Sequence, residues 1–259
     1  MARGSTVFNK TAVGIHLLSI EPAKPSMRQP VNLFLLSILS VLFIVGCKKK
    51  DEPVVPPVGG GGTPPVQEPD AILRARVLWG NGLLEYDSGI AFFGSGPGDL
   101  NTMTSVSLNG LALTDPVDPG FYSIIGGGLS LDNNIAQWEV VGDNGYPSFI
   151  RLNDVIAFPM VNPITSALTV DLSEGYTLTS VGVTGADSVV FTVGFARKVR
   201  PANSSSCYFS AADLASLTPG ATGSIVAVSG INYLTEVIEG KRIRFEKERI
   251  WGEPVTFVE

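Results

Sequence analysis

Histidine is almost missing from this chain. The single one, His16, stands upstream of an apolar run at 31–45. That stretch reads as a segment removed from the working protein. Without His16 the remainder has no imidazole for a Ser-His-Asp or Cys-His site, and none to ligate zinc. Charge is sparse as well, at 16% of residues, and its balance is acidic, at −6 overall. No apolar stretch reaches the roughly 20 residues that a spanning helix needs. Helical periodicity is equally scarce. Only 211–217 reads as a helix, with Ser210 as its cap and Asp213 at the third helical position.

What the chain does have begins at Met27. Met27 and Arg28 precede Val31–Val45, apolar except for Asn32, Ser37 and Ser40, and Gly46-Cys47 follows. A short basic region, an apolar region and a small residue at the cut make a signal peptide. Residues 1–26 fit no part of it, so translation is expected to start at Met27, with an unusually long leader as the alternative. Removing 1–46 leaves 14 basic and 23 acidic residues, a net charge of −9. Such a surface repels nucleic acid, which is not expected as a partner.

Lys48-Lys49-Lys50-Asp51-Glu52 follows Cys47, and then Pro53–Pro69, with six prolines and four glycines in 17 residues. No such segment can bury a core. Its prolines favour extended stretches and its glycines a flexible joint, so 47–69 reads as a tether reaching at most about 50 Å. From Asp70 the apolar period is two. Leu73, Ala75, Val77 and Trp79 share one face, with Arg74 and Arg76 on the other. Val189, Phe191, Val193 and Phe195 share a face, as do Ile243 and Phe245, between outward charges at Arg242, Arg244 and Glu246. These are half-buried antiparallel strands. Asn81-Gly82, Asn109-Gly110, Asp143-Asn144-Gly145 and Glu239-Gly240 supply the reversals between strands.

The expected fold is therefore all-β, one or two immunoglobulin-like antiparallel sandwiches after a signal peptide and flexible linker. Prolines at Pro159 and Pro163 interrupt strand pairing and place a boundary there. It divides a β domain at 70–160 from an immunoglobulin-like domain at 161–259, with one continuous domain as the alternative.

Ile44-Val45-Gly46-Cys47, the charged run after it and the Pro/Gly tether resemble the surface lipoproteins of Bacteroidota-type bacteria. The resemblance covers about 40 residues. It implies that Cys47 carries a diacylglycerol thioether and an acylated amine, and that the protein sits at the outer membrane facing outward. Stable attachment needs more than one acyl chain, which such a cysteine provides. Cys207 then has no partner in the chain, and with no histidine to activate it, it reads as a buried, inert thiol. A second stretch, 214–228, is similar to the corner of a fibronectin type III sandwich. Leu217, Pro219 and Gly220 match, Ile225 and Ala227 fall where that strand points inward, and Gly223 replaces the corner tyrosine. Asp187-Ser188-Val189 resembles the short O-glycosylation motif of the same bacteria, and equally reads as an entry turn.

Chemistry-bearing residues are few. Gly94–Asp99 is glycine-rich, but no Lys-Ser/Thr and no helix pattern follow, so a surface loop is expected and not a phosphate cradle. Asp115, Asp118, Asp132-Asn133-Asn134, Asp143-Asn144 and Asn153-Asp154 offer oxygen ligands of the type calcium prefers. No Asp-x-Asp-x-Asp-Gly series occurs, and Asp and Asn are ordinary turn residues, so no metal is expected. Trp79, Trp138 and Trp251 are candidates for ligand contact, with Tyr86, Tyr122, Tyr146 and Tyr233 as helpers, against core packing as the bland reading. Trp251, flanked by charges, is the best placed.

The functional expectation is a non-enzymatic lipoprotein of the cell envelope with a binding, adhesion or structural role. It has no cofactor beyond the covalent lipid on Cys47. Its partners are the membrane, through the anchor, and a glycan or protein. The alternatives are a glycan-binding accessory lipoprotein of a nutrient-uptake system and a carboxylate-based hydrolase.

Overall fold

A computed structural model describes residues 68–81, 85–94, 99–114 and 120–259. The signal segment, Cys47, the tether up to residue 67, Gly82, residues 95–98 of the glycine-rich loop, Asp115 and Asp118 lie outside the described residues.

The fold is all-β, with sheets stacked as in a sandwich. The largest sheet draws on both ends of the chain. It contains β1 (Ala71–Gly80), β2 (Tyr86–Phe93), β5 (Phe121–Ile125), β12 (Ser188–Val193), β13 (Ala196–Pro201), β15 (Ile225–Ile238) and β16 (Lys241–Pro254). Their order across the sheet is β13-β12-β15-β16-β1-β2-β5. A second sheet, of order β4-β3-β6-β7, holds β3 (Ser105–Leu108), β4 (Leu111–Ala112), β6 (Ala136–Val141) and β7 (Phe149–Asn153). Three two-stranded pieces complete the fold. These pair β8 (Met160–Val161) with β11 (Val183–Thr184), β9 (Thr169–Asp171) with β17 (Thr256–Val258), and β10 (Tyr176–Thr179) with β14 (Ser206–Phe209).

The turns form where glycine and asparagine permit positive φ. Glu239 and Gly240, at φ 46 and 84, join the two 14-residue strands β15 and β16, and Asn109 and Gly110, at 50 and 78, join β3 and β4. Both are two-residue hairpin loops whose central residues must be left-handed. The short helix α1 (Ala211–Leu214) carries the expected cap. Ser210 Oγ accepts from the Asp213 amide, while the Asp213 carboxylate accepts from the Ser210 amide. It makes one turn and not two.

Two pairings depart from the antiparallel expectation. β1 runs parallel to β16, from Ala71 opposite Ile243 to Gly80 opposite Gly252, and β17 runs parallel to β9. Parallel neighbours cannot be joined by a tight hairpin. The connection between β1 and β16 is nearly the whole fold.

Register assigns the side chains to faces. Leu73, Val77, Phe245, Val228 and Phe191 lie on one face of the large sheet, and both main cores sit on that face. The first core packs the four-stranded sheet, through Val106, Leu108 and Trp138, on Leu73, Phe93, Ile243 and Phe245. The second packs Val170, Leu178, Phe209 and Phe257 on Val189, Phe191, Val226 and Val228. The two cores do not divide at residue 160: Ile243 and Phe245 belong to the first, and the β1–β16 pair carries one sheet across that position.

Several side chains lie elsewhere than their period implies. Val226 and Val228 face the second core, whereas Ile225 and Ala227 fall on the opposite face; both faces of that strand are buried. Phe195 is 60% exposed because β12 ends at Val193 and Gly194 turns the chain at φ 55. Arg76 and Glu246 are buried, not solvated. The middle of β1 and β16 is buried on both faces, so their charges pair with each other. Arg74 Nε donates to Glu246 at 2.5 Å and Arg76 Nε to Glu248 at 2.8 Å.

Candidate functional site

The three tryptophans part company in the folded chain. Trp138 lies on β6, inside the first core, with no exposed surface. That removes it as a ligand contact. Trp79 and Trp251 come together, as register partners in the β1–β16 pair. Trp79 is 38% exposed. The cause is local: β2 begins at Tyr86, opposite Leu78, so among the described residues Trp79 has no register partner on that side of β1. Trp251 is half-buried against the second core, and its indole N–H donates to Glu253 Oε1 at 2.9 Å.

Arg249 completes this end of the sheet. It is opposite Val77 in β1 and Gly230 in β15, on the face that carries Trp79. Its guanidinium lies 4.6 Å from the centre of the Trp79 ring and 5.9 Å from that of Phe158. Such cation–π contacts are worth about 0.5–2 kcal/mol. Arg249 Nε is shut away from solvent and has no hydrogen-bond partner among the described residues. Burial lowers its pKa, and the charge of Asp87 opposes that shift. Asp87 itself accepts from the Leu131 amide at 2.6 Å, and its carboxyl is raised, chiefly by burial.

Lys247, two residues before Arg249 on the same face, has no exposed surface. Its ammonium donates to the carbonyls of Asn134, at 2.5 Å, and Ile156, at 2.8 Å, with the Phe158 ring 5.4 Å away. Burial holds its pKa down to about 8, against the pull of Asp154. The segment between the two cores therefore runs over the centre of the sheet. Gly230 makes room for it: a Cβ there would meet Pro159 Cβ at 2.8 Å and Val183 Cγ1 at 2.9 Å.

The tyrosine helpers do not gather at Trp79. Tyr122 holds Met103, accepting from its N–H and donating to its C=O. Tyr146 donates to the Asp70 carbonyl, Tyr233 stacks under Arg244, and Tyr86 packs with Leu78 and Ile250 on the opposite face. Two of the Asn and Asp loops serve the backbone, while the Asn153 amide is buried without a partner among the described residues. Asn134 sits at φ 57 and accepts from the Phe158 amide, and Asp143 accepts from the Asn144 amide. No group of three His, Cys, Asp or Glu side chains that could hold a metal ion occurs among the described residues.

Two buried carboxylates adjoin each other on β16, Glu246 and Glu248. Burial pushes Glu248 up, but the charges of Arg76 and Arg74, with the hydrogen bond from Arg76, outweigh it and hold the carboxyl down to about 2. A general acid needs the opposite shift. Cys207 is buried on β14, and its sulfur accepts from Arg200 Nε at 3.3 Å. Asp187 accepts from the Tyr233 amide, and Ser188 opens β12, so the Asp-Ser-Val triplet is a strand entry. Sequence reasoning missed Arg249 and Asp87. Neither carries a local signal, because their neighbours come from distant strands.

No family model matches the chain, and no curated protein matches it.

Proposed function

We propose that this protein is a non-enzymatic lipoprotein of the cell envelope, held at the outer membrane by acylated Cys47 and binding a partner outside the cell. The observation that carries this reading is where the tether stops. Pro/Gly-rich sequence ends at Pro69, and the next residue is already clamped. Asp70 N–H donates to the Arg242 carbonyl at 2.8 Å, and its carboxylate accepts from the Arg242 amide at 2.7 Å. The Pro/Gly-rich sequence thus leads directly into the central β1–β16 pair. Such a layout suits a domain displayed at a distance from its anchor. The test is detergent phase partitioning with metabolic acyl labelling. The parent is expected in the detergent phase, labelled, and Cys47→Ser in the aqueous phase, unlabelled. Equal partitioning and equal surface residence of the two would overturn the reading.

A second reading, a glycan-binding accessory of a nutrient-uptake system, is favoured by the exposed Trp79 ring beside Trp251. Saturable binding of an oligosaccharide that Trp79→Ala abolishes would support it.

A further inference from the structure

We infer that β7 is a docking edge for a second copy of this chain, pairing antiparallel with β7 of that copy around a twofold axis at Arg151. The four-stranded sheets of the two copies join into one.

Open strand edges invite such pairing, and folds blunt them with charge, proline, shortness or a cover. The two main sheets end in four edge strands, and three are blunted. β13 carries Arg197, Lys198 and Arg200 and ends in Pro201. β5 is covered at Ser123, which exchanges two backbone hydrogen bonds with Thr114. β4 has two residues. β7 has five, with no proline and a single charge, Arg151. It pairs with β6 on one side, and no strand pairs with it on the other among the described residues. The large sheet is open on the same flank. β12 follows β15 only as far as Ile231, so Leu234–Ile238 has β16 as its one strand partner among the described residues. The Arg151–Glu236 ion pair links these two edges.

The register of β7 points to a second copy as the occupant. Phe149 packs on the first core, so Ile150 and Leu152 face away from it, 65% and 39% exposed. An antiparallel twofold on Arg151 sets each Ile150 opposite Leu152 of the other copy, and four apolar side chains meet. An axis on Ile150 would set Leu152 opposite Ser148, and one on Leu152 would set Ile150 opposite Asp154. Gln137 and Glu139, the exposed partners of Leu152 and Ile150 in β6, border the apolar group with polar side chains, as at a protein interface. The axis also brings the two Arg151 side chains together, and each is already neutralised within its own chain. Arg151 Nε donates to one Glu236 oxygen at 2.9 Å, and a terminal nitrogen donates to the other. The proline-rich segment 53–69 is a poor rival for the edge, because proline has no N–H to give.

The experiment is sedimentation velocity of the full chain in density-matched detergent, over a range of concentration reaching about 100 μM. Mass is read whether or not Cys47 carries lipid, so the result stands apart from the anchor. The expected result is a monomer–dimer equilibrium. Ile150→Lys and Leu152→Lys, both at exposed positions, should each weaken it about tenfold or more. Val199→Lys, on the β13 edge, should leave it unchanged. The register is read by oxidative cross-linking, with the parent as blank. Ile150→Cys mixed with Leu152→Cys should cross-link more fully than either variant alone. A parent that stays monomeric throughout overturns the inference and leaves the edge to a strand of a different protein. A dimer that both lysine variants retain at parent strength overturns it, as does a mixture that cross-links no better than the single variants. If the lysine variants do not fold, the parent mass and the cysteine mixture decide it.

Discussion

Arg76 and Glu248 stand opposite each other in the parallel β1–β16 pair, bonded at 2.8 Å with each side chain 2% exposed, though they are 172 positions apart in the sequence. Arg74 and Glu246 repeat the arrangement two residues earlier. This quartet acts on register. Sliding β1 by two residues one way would set Arg74 opposite Arg244; sliding it the other way would set Arg76 opposite Ile250. Each leaves buried charge without its partner, an expensive outcome. The β period of two makes such slips the natural competitors of the native pairing.

Removing one member of the pair should therefore cost more than removing both. Glu248→Gln or Arg76→Met is expected to destabilise by about 3–5 kcal/mol, because a buried charge stays behind. The Arg76→Met/Glu248→Leu double variant should recover most of that. Denaturant midpoints measure all three, and a double variant worse than either single one would contradict the account.

Acid should unfold the protein partly through Glu248. Its folded pKa, about 2, lies below its ordinary 4.5. The stabilisation is thus complete above about pH 4.5 and is lost as pH falls toward 2. A Glu248→Gln stability profile should be flatter than that of the parent between those values. Parallel profiles would count against the pair as the source.

Lys247 runs the other way. Its folded pKa of about 8 is below the ordinary 10.5. Between those values the unfolded chain holds the proton and the folded one does not, so the contribution of this group to stability rises with pH from about 8 to about 10.5. Comparing unfolding at pH 7.5 and pH 10 should show a rise that Lys247→Met removes. The same rise in both proteins would place its origin elsewhere.

Gly230→Ala tests the strap between the cores. The added Cβ would press on a proline ring and a β-branched valine at under 3 Å, neither of which can swing aside. Overpacking of this kind costs about 1–3 kcal/mol. A melting temperature equal to that of the parent would show that Pro159 does not lie on the sheet.

The strands and the turns were legible in the residue order because each is a local matter. Alternation in Leu73–Trp79 marks a strand whatever it pairs with. Asn109-Gly110 and Glu239-Gly240 take their left-handed turns by themselves, and Ser210 caps its helix over three residues.

Which strands are neighbours was a matter for the tertiary structure alone. Nothing near Arg76 announces Glu248, and nothing near Trp79 announces Trp251 or Arg249. Those partners meet because β1 completes a sheet with β16, and burial of both faces of that pair, a property of the whole fold, turned charges that read as solvated into an ion-pair network. The alternation of polar and apolar residues says which side chains share a face; only packing says whether water lies beyond it.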